Sequence, residues 1–445
     1  MNKRTVALWS ASAAVLSLVM IRAAAAEMMF DPQHYRDLVD ASSAQTIAPG
    51  TKITMQNWRQ YKNFMPTWLQ AAYSGDYHWH IGPGPEFTIT VGPTSNFPLP
   101  KKFLEDTEKY HNQVGLEKLS DGGFTIKGYT AGVPFPNPSE PDMAAKLMYN
   151  GWLPWRPFVS RYYTWDRIVD RYGNVSPEDT DDTFFEMAYL SDEGYPTTTA
   201  YGTDYFQAGH YFVAAPEQSK YTTELQLQPK DPTKLQELYA FLPSLRRSLR
   251  LSSAARCTPL LGTDYIADDG AWLPPNFAPT YLGEKKLLSI VMDPNKSSDP
   301  KSYAGGGAVA GDTFPGWPVA GTNHWELRNV YIIDLLALPK LGNYCYSHRV
   351  YYIDKQNWNI ANFGAENYDR TGKLYKMLWT APYPVTVGAV TTVYAYSTGM
   401  SMAMDFQNQH VTWNNDTAVQ IDNQVPADMR DPVNATPAGL ARVMK

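Results

Sequence analysis

The sequence is poor in cysteine, in basic runs and in long apolar segments. Only Cys257 and Cys345 occur among the 445 residues, which excludes a four-cysteine zinc site and a Cys-x-x-C redox motif. The 44 acidic residues outnumber the 38 basic ones, so bulk charge would not attract nucleic acid. After residue 26 no apolar stretch approaches about 18 residues, and we therefore expect a mature protein without a membrane-spanning helix.

Motifs of the common enzyme classes are also missing. We find no G-x-S-x-G elbow, no H-E-x-x-H helix, no Walker loop and no Rossmann fingerprint. The glycine-rich stretch 305–311 follows no predicted strand and contains no lysine, so we interpret it as a flexible loop. We predict no cofactor and no catalytic residue from these patterns. A catalytic triad that assembles only in space stays an open alternative.

One pair of histidines has a spacing that suits metal binding. His78 and His80 alternate in the segment YHWHIG, so on a strand they would share a face and could bind a metal. No third metal ligand is evident in the sequence. We therefore favour a position of the two histidines in a cavity wall or on the protein surface. The sequence therefore predicts no metal site.

The first 26 residues have the pattern of an export signal. A basic start, MNKR, precedes an apolar run over 5–21, and small residues follow at Ala24 and Ala26. This pattern predicts a signal peptide cleaved between Ala26 and Glu27 and an exported, soluble mature chain. An uncleaved N-terminal anchor is the alternative.

Export bears on the two cysteines, because it would place them in an oxidising compartment. A cysteine pair in an oxidising space is typical of one disulfide, which would join Cys257 to Cys345. Closing so long a loop would stabilise the fold by about 4 kcal/mol if loop entropy dominates. Two buried, unpaired thiols are the alternative.

The residue pattern changes near Pro157 from helical to strand-like. Helices are predicted before it, at 32–39, 58–73, 103–112 and 142–151. After it, short strand-like segments run from 162–172 to 400–413, and 293–323 is rich enough in Gly, Pro, Asp and Ser to predict a long loop. Such a series predicts one large antiparallel sheet. Because no linker divides the chain, we predict a single domain over 27–425 and a loosely ordered tail over 426–445.

A cluster of arginines is the densest charged feature. The segment LPSLRRSLRLSSAARC contains Arg246, Arg247 and Arg250 close to Cys257. On a strand, Arg246 and Arg250 would share one face and Arg247 would lie on the other. Because guanidinium groups pair well with carboxylate and phosphate, we interpret the three arginines as a candidate site for an anionic headgroup or a partner protein. Ion pairs with acids of the sheet itself are the alternative.

A second segment, from Cys345 onward, has large side chains at both odd and even positions. Residues 346–353 read YSHRVYYI, which predicts a strand covered on both faces. Tyr352, Trp358 and Ile360 are the candidate ligand-binding residues of an apolar cavity. A packed core would give the same pattern.

A short acidic cluster, Asp179, Asp181 and Asp182, lacks the glycine and glutamate of a calcium-binding loop. We predict a solvated loop there.

Four segments together resemble a known family. They are VGPTSNFPLPKKFLEDTEKY, GGFTIKGYTAGVPFPNP, YAFLPSLRRSLRLSSAARC and the long stretch from WELRNVYIIDLLALP to YSHRVYYIDKQNWNIANFGAENYDRTGKLYK. In this order they resemble the Gram-negative envelope family called domain of unknown function 1329, and GYTAGVPFPNP and RVYYIDKQNW are the most specific pieces. The family's ligands and catalytic residues are not established, so the resemblance transfers no functional residue.

The resemblance implies a periplasmic protein that is mainly β with peripheral helices. It implies a large curved antiparallel sheet, an incomplete barrel around helices, similar to the lipoprotein-localisation carriers. It also implies an apolar cavity, a transporter of the resistance-nodulation-division class and an outer-membrane partner; association with the outer membrane stays open.

We therefore expect a non-catalytic carrier or transport accessory that binds a lipid or another hydrophobic small molecule and no nucleic acid. A scaffold of an envelope complex and, less favoured, an envelope hydrolase are the alternatives.

Overall fold

The computed structural model describes residues 28–74, 88–251, 256–260, 262–270, 272–292, 323–360, 364–394 and 398–440. The predicted signal peptide, His78, His80, the glycine-rich stretch 305–311 and nearly all of the predicted loop 293–323 lie outside these residues. Within them, no helix is both long enough and apolar enough to cross a membrane.

Helices are few and short. They are α1 (Pro32–Arg36), α2 (Thr67–Ser74), α3 (Lys101–Tyr110), α4 (Met143–Trp152) and α5 (Ala267–Gly270). Most residues of α4 are buried, because this helix packs against the sheet and the segments that surround it.

Strands are the main secondary structure of the described residues. Six short ones form three separate hairpin-like pairs: β1 (Lys52–Thr54) with β2 (Thr88–Thr90), β3 (Gly115–Lys118) with β4 (Phe124–Lys127), and β16 (Val385–Val387) with β17 (Val390–Thr392). The other thirteen form one large sheet and are β5 (Val159–Val169), β6 (Val175–Glu186), β7 (Tyr205–Ala215), β8 (Thr223–Pro229), β9 (Glu237–Leu242), β10 (Arg247–Leu251), β11 (Phe277–Met292), β12 (Asn323–Ala337), β13 (His348–Asp354), β14 (Ala365–Tyr368), β15 (Leu374–Pro382), β18 (Thr398–Asp405) and β19 (His410–Ile421).

The large sheet is antiparallel throughout and open. Its order is β10-β9-β8-β7-β6-β5-β19-β18-β15-β14-β13-β12-β11. The pairing of β19 with β5 therefore joins strands that are far apart in the sequence. β11 contacts β15 although three strands lie between them in the sheet, and this end therefore curls strongly. In the described part of the chain the end strands β10 and β11 do not pair with each other. The predicted incomplete barrel is confirmed.

Both faces of the β11–β19 half of the sheet are covered. On β13, Val350 and Tyr352 enter one hydrophobic cluster, and Tyr351 and Ile353 enter another on the opposite face. The first cluster also contains Trp68 of α2, whose ring stacks on Trp379 with 5.2 Å between ring centroids. The second contains α4. The two-sided burial predicted from the alternation in this segment is confirmed.

The predicted disulfide is present. Cys257 and Cys345 are bonded, with their Cα atoms 5.9 Å apart, and the described chain has no free cysteine. The bond ties the segment after β10 to the segment that leads into β13.

One segment expected to be a loop is a strand. The cluster Asp179, Asp181 and Asp182 lies inside β6, so the prediction of a solvated loop was wrong. Arginines 167 and 161 of β5 pair with Asp179 and Asp181 at 2.9 and 2.5 Å, and these ion pairs allow acids to alternate along a strand. In the predicted tail, positions 435 and 440 are buried in a third hydrophobic cluster with β6–β8.

Candidate functional site: a cavity between the helix and the sheet

A cavity of about 250 Å³ lies where α4 and α5 face the large sheet. Its walls come from β5–β8, β13, β15, β18 and β19 and from the segments around α5. Residues from such distant parts of the chain meet here because β19 pairs with β5.

One part of the wall is apolar and mostly aromatic. It is formed by Trp152, Phe184, Phe206, Trp272, Ile360 and Leu378. The rings are held by specific contacts: Trp152 packs edge-on against Phe206 at 5.1 Å, and its indole N–H donates to the carbonyl oxygen of Trp272 at 3.0 Å. An aromatic wall of this kind suits the hydrocarbon part of a ligand.

Glycine is required at one point of this wall. At Gly364 the backbone has φ +73°, and a Cβ atom would lie 2.1 Å from the carbonyl oxygen of Leu378. Any larger residue would therefore displace β15.

Another part of the wall is polar and acidic. On β5, alternate residues Tyr162, Thr164 and Asp166 line the cavity, and Asp182 of β6 and Asp416 of β19 join them. We call Asp166, Asp182 and Asp416 the carboxylate cluster. All three are buried. Period-two alternation places the β5 residues on one face, and antiparallel pairing brings the neighbouring strands' acids beside them.

Hydroxyl and amide groups of the same strands bind the carboxylate cluster. The Thr164 hydroxyl lies 2.9 Å from Oδ1 of Asp416 and 3.3 Å from Oδ2 of Asp182. Its one hydrogen can serve only one of them at a time. Asn414 donates to Asp166. The side-chain donors to Asp166 and Asp182 named here are uncharged, so they supply no positive charge to these two carboxyl groups.

Burial raises the pKa of both Asp166 and Asp182 well above the ordinary value for aspartate. The neighbouring carboxylates raise the pKa of Asp166 further, whereas the hydrogen bond from Thr180 opposes the rise at Asp182. Glu178, directly across the strand pair from Asp166, has its pKa raised to about 7, chiefly by burial. Buried acids with raised pKa values and a shared cavity are typical of functional sites.

Two other charged residues of the cavity wall, Arg156 and Asp269, have partners of opposite charge. Arg156 lies 3.9 Å from Glu186, and Asp269 has both Lys376 and Arg349 within 3.8 Å. By contrast, no Lys, Arg or His nitrogen of the described chain lies within 4.0 Å of a carboxylate oxygen of Asp166 or Asp182. Nor do the described residues contain a group of three or more His, Cys, Asp or Glu side chains arranged to hold a metal ion.

Comparison with protein families gives a match whose description assigns no function. A family model described as "Protein of unknown function (DUF1329)" matches residues 52–436. The chain belongs to the DUF1329 family. No match was found among curated proteins.

Solved structures similar to this DUF1329 chain have low sequence identity. A putative outer membrane lipoprotein-sorting protein domain from Vibrio parahaemolyticus is 14% identical, with 68% of this chain and 99% of that one covered and a TM-score of 0.47. A DUF1329 family protein from Desulfovibrio piger is 12% identical, with 67% and 98% covered and a TM-score of 0.46. A LolA superfamily protein from Nitrosomonas europaea is 11% identical, with 65% and 97% covered and a TM-score of 0.37.

The three apolar residues predicted from the sequence are placed in different surroundings in this DUF1329 chain. Ile360 lines the cavity. Tyr352 lies on the opposite face of β13, where its hydroxyl donates to Glu366, and its neighbour Tyr351 lines the cavity instead. Trp358 stacks on Tyr331 with 6.0 Å between ring centroids and does not line the cavity. Their role in ligand binding stays a prediction.

The three arginines lie away from the cavity. Arg246 is in the turn before β10 with φ 50°, and Arg247 and Arg250 are on β10, the end strand of the sheet. All three are exposed, and Arg250 pairs with Glu237 at 3.1 Å. The turn at Arg246 breaks the strand alternation that would have placed it beside Arg250.

Sequence reasoning missed the carboxylate cluster. One signal was present in the sequence. Tyr162, Thr164 and Asp166 are alternate residues of a predicted strand, so an acidic side chain is expected on the same face as a tyrosine. The acids of β6 and β19 could not be added, because their pairing with β5 is visible only in the folded sheet.

Proposed function

We propose that this chain is a non-catalytic carrier or transport accessory of the cell envelope that holds a hydrophobic or amphipathic molecule in the cavity. The observation that carries the proposal is the aromatic wall around a space of about 250 Å³. A dry cavity of about 150 Å³ suffices to bind benzene. Each methylene buried against such a wall contributes about 0.8 kcal/mol, so part of an alkyl chain or a ring system would be held with useful affinity.

The compartment and the partners belong to the same proposal. The export signal pattern in residues 1–26 supports a periplasmic location, and N-terminal sequencing of envelope-fraction protein should then begin at Glu27. A transporter of the resistance-nodulation-division class and an outer-membrane protein are the partners we propose. Their resemblance-based assignment would be tested by cross-linking in the native envelope.

Binding of an uncharged fluorescent probe tests the carrier directly. N-phenyl-1-naphthylamine should bind the purified, delipidated protein saturably with blue-shifted emission. Ile360→Trp should weaken this binding at least about tenfold, because the larger side chain fills the cavity that Ile360 lines. Leu336→Trp is the matched control, since Leu336 is an exposed residue of β12. Circular dichroism confirms that both variants are folded.

The proposal fails if folded wild-type protein binds no member of a broad panel of lipids and hydrophobic metabolites. Equal loss of binding in the two tryptophan variants would also count against the cavity as the site. In either case the scaffold would be the better hypothesis.

A further inference from the structure

We propose that the carboxylate cluster binds a protonated amine, so that the ligand is an amphipathic amine: a hydrocarbon body with an ammonium group and no adjacent anion. This inference rests on the proposed function, since it names the chemical class of the molecule in the same cavity. It assigns the apolar wall to the hydrocarbon and the carboxylate cluster to the charged end.

The first support is that two buried carboxyl groups have no cation beside them among the described residues. Asp166 and Asp182 are 4% and 5% exposed, and no cationic side chain of the described chain lies within 4.0 Å of their carboxylate oxygens. Two other buried acids have cations beside them: Asp269 has Lys376 and Arg349, and Asp354 has Arg328. Buried carboxylates are normally paired because an isolated one is costly. The cavity therefore lacks a cation that a ligand can supply.

The second support is independent of charge. Oδ1 of Asp182 is buried without a hydrogen-bond partner, and so are both amide atoms of Gln228, a residue that lines the same cavity and is 3% exposed. The amide nitrogen of Gln226, another lining residue, is also buried and unpartnered. Buried polar atoms without a hydrogen-bond partner cost free energy. Their position on the cavity wall indicates a polar ligand group beside the hydrocarbon.

The chemistry of the wall selects among polar ligands. An ammonium group donates hydrogen bonds and carries a positive charge, and it suits Oδ1 of Asp182 on both counts. A fatty acid or a phosphate-bearing headgroup would bring a further negative charge beside Asp166, Asp182 and Asp416, and electrostatic repulsion disfavours this arrangement. A neutral alcohol can donate one hydrogen bond but leaves the charge uncompensated.

Three probes with the same number of carbon atoms test this assignment: dodecylamine, 1-dodecanol and dodecanoate. Dodecylamine and dodecanoate are used below their critical micelle concentrations and 1-dodecanol below its solubility limit, and binding is measured by isothermal titration calorimetry at pH 7. We expect dodecylamine to bind at least about tenfold more tightly than either of the others. Asp182→Asn and Asp166→Asn should each reduce the affinity for dodecylamine about tenfold while changing the affinity for 1-dodecanol less than about twofold. Both substitutions preserve side-chain shape, and circular dichroism checks the fold.

Glu217→Gln is the matched control for net charge, because Glu217 is exposed and does not line the cavity; it should leave all three affinities unchanged. Equal binding of the three probes, tighter binding of dodecanoate, or unchanged dodecylamine binding in both Asp variants would overturn the amine assignment and leave the carrier standing. Binding of none of the three probes by folded protein would also overturn the amine assignment, whereas the carrier fails only if the broader panel does not bind either.

Discussion

Arg328 on β12 and Asp354 at the end of β13 form an ion pair in which both side chains are almost fully buried. The same guanidinium donates to Glu326 at 2.5 Å, to the carbonyl oxygen of Ser95 at 3.2 Å and to Gln356 at 3.1 Å. It thereby joins three segments in which the family resemblance was found: VGPTSNF, WELRNV and YYIDKQNW. In this chain the three motifs therefore meet at a single buried arginine.

Arg328→Met should lower the free energy of unfolding by about 3–5 kcal/mol, because it removes the guanidinium that faces two buried carboxylates. Urea denaturation measures the change. Arg250→Met is the control: its pair with Glu237 has an arginine side chain that is 65% exposed, and such pairs contribute about 0–1 kcal/mol. Similar losses in the two variants would contradict the central role of Arg328.

Asp182→Asn should stabilise the empty protein at pH 8 and have a smaller effect near pH 4. Burial raises the folded-state pKa of Asp182 well above the ordinary value, so between the two values the folded state binds more protons than the unfolded state. By linkage, stability falls as pH rises through this window, and asparagine cannot lose a proton. Urea denaturation of delipidated protein at the two pH values provides the measurement. Destabilisation at pH 8 would show that the carboxylate is needed for folding.

A second carboxyl pair predicts a different pH dependence. Asp422 follows β19, and burial together with the nearby Asp192 raises its pKa to about 8. Since the unfolded value is about 3.9, the melting temperature should decline as pH rises from about 4 through about 8 and level off above. Asp422→Asn should make the decline shallower. Parallel curves for the wild type and the variant, recorded by thermal circular dichroism, would refute this assignment.

The disulfide should be detectable chemically. Peptide mapping without reductant should recover a peptide that links Cys257 to Cys345, and replacing both residues with Ser should lower the free energy of unfolding by about 4 kcal/mol on the loop-entropy account. Two alkylatable thiols in unreduced, unfolded protein would be decisive evidence against the bond.

Local patterns in the sequence predicted local structure well. The segment DRTG at 369–372 has the residues of a hairpin turn, with glycine where a positive φ is needed. The turn is present, with the Gly372 N–H donating to the Asp369 carbonyl oxygen at 2.9 Å and φ +81° at the glycine. The alternation over 346–353 correctly predicted a strand buried on both faces. In both cases the information lies within a few consecutive residues.

The site needed information that is spread along the chain. Asp166 and Asn414 are register partners although 248 positions separate them, and no single-sequence pattern encodes that register. Which face of β13 borders the cavity also depends on where α4 packs, and for this reason Tyr351 rather than Tyr352 is a lining residue. The acids of β6 were interpreted as a loop because charge is unusual within a strand.

The two end strands of the open sheet, β11 and β10, have different surroundings. Along β11, the backbone of residues 39–41 adds hydrogen bonds, with the Lys286 N–H donating to the Val39 carbonyl oxygen at 2.8 Å and the Ala41 N–H donating to Glu284 at 3.0 Å. Along β10 the edge carries the exposed Arg247 and Arg250. Charged side chains on an edge strand oppose the addition of a further strand. Repulsion between two such edges would keep neighbouring molecules from joining their sheets into a continuous aggregate.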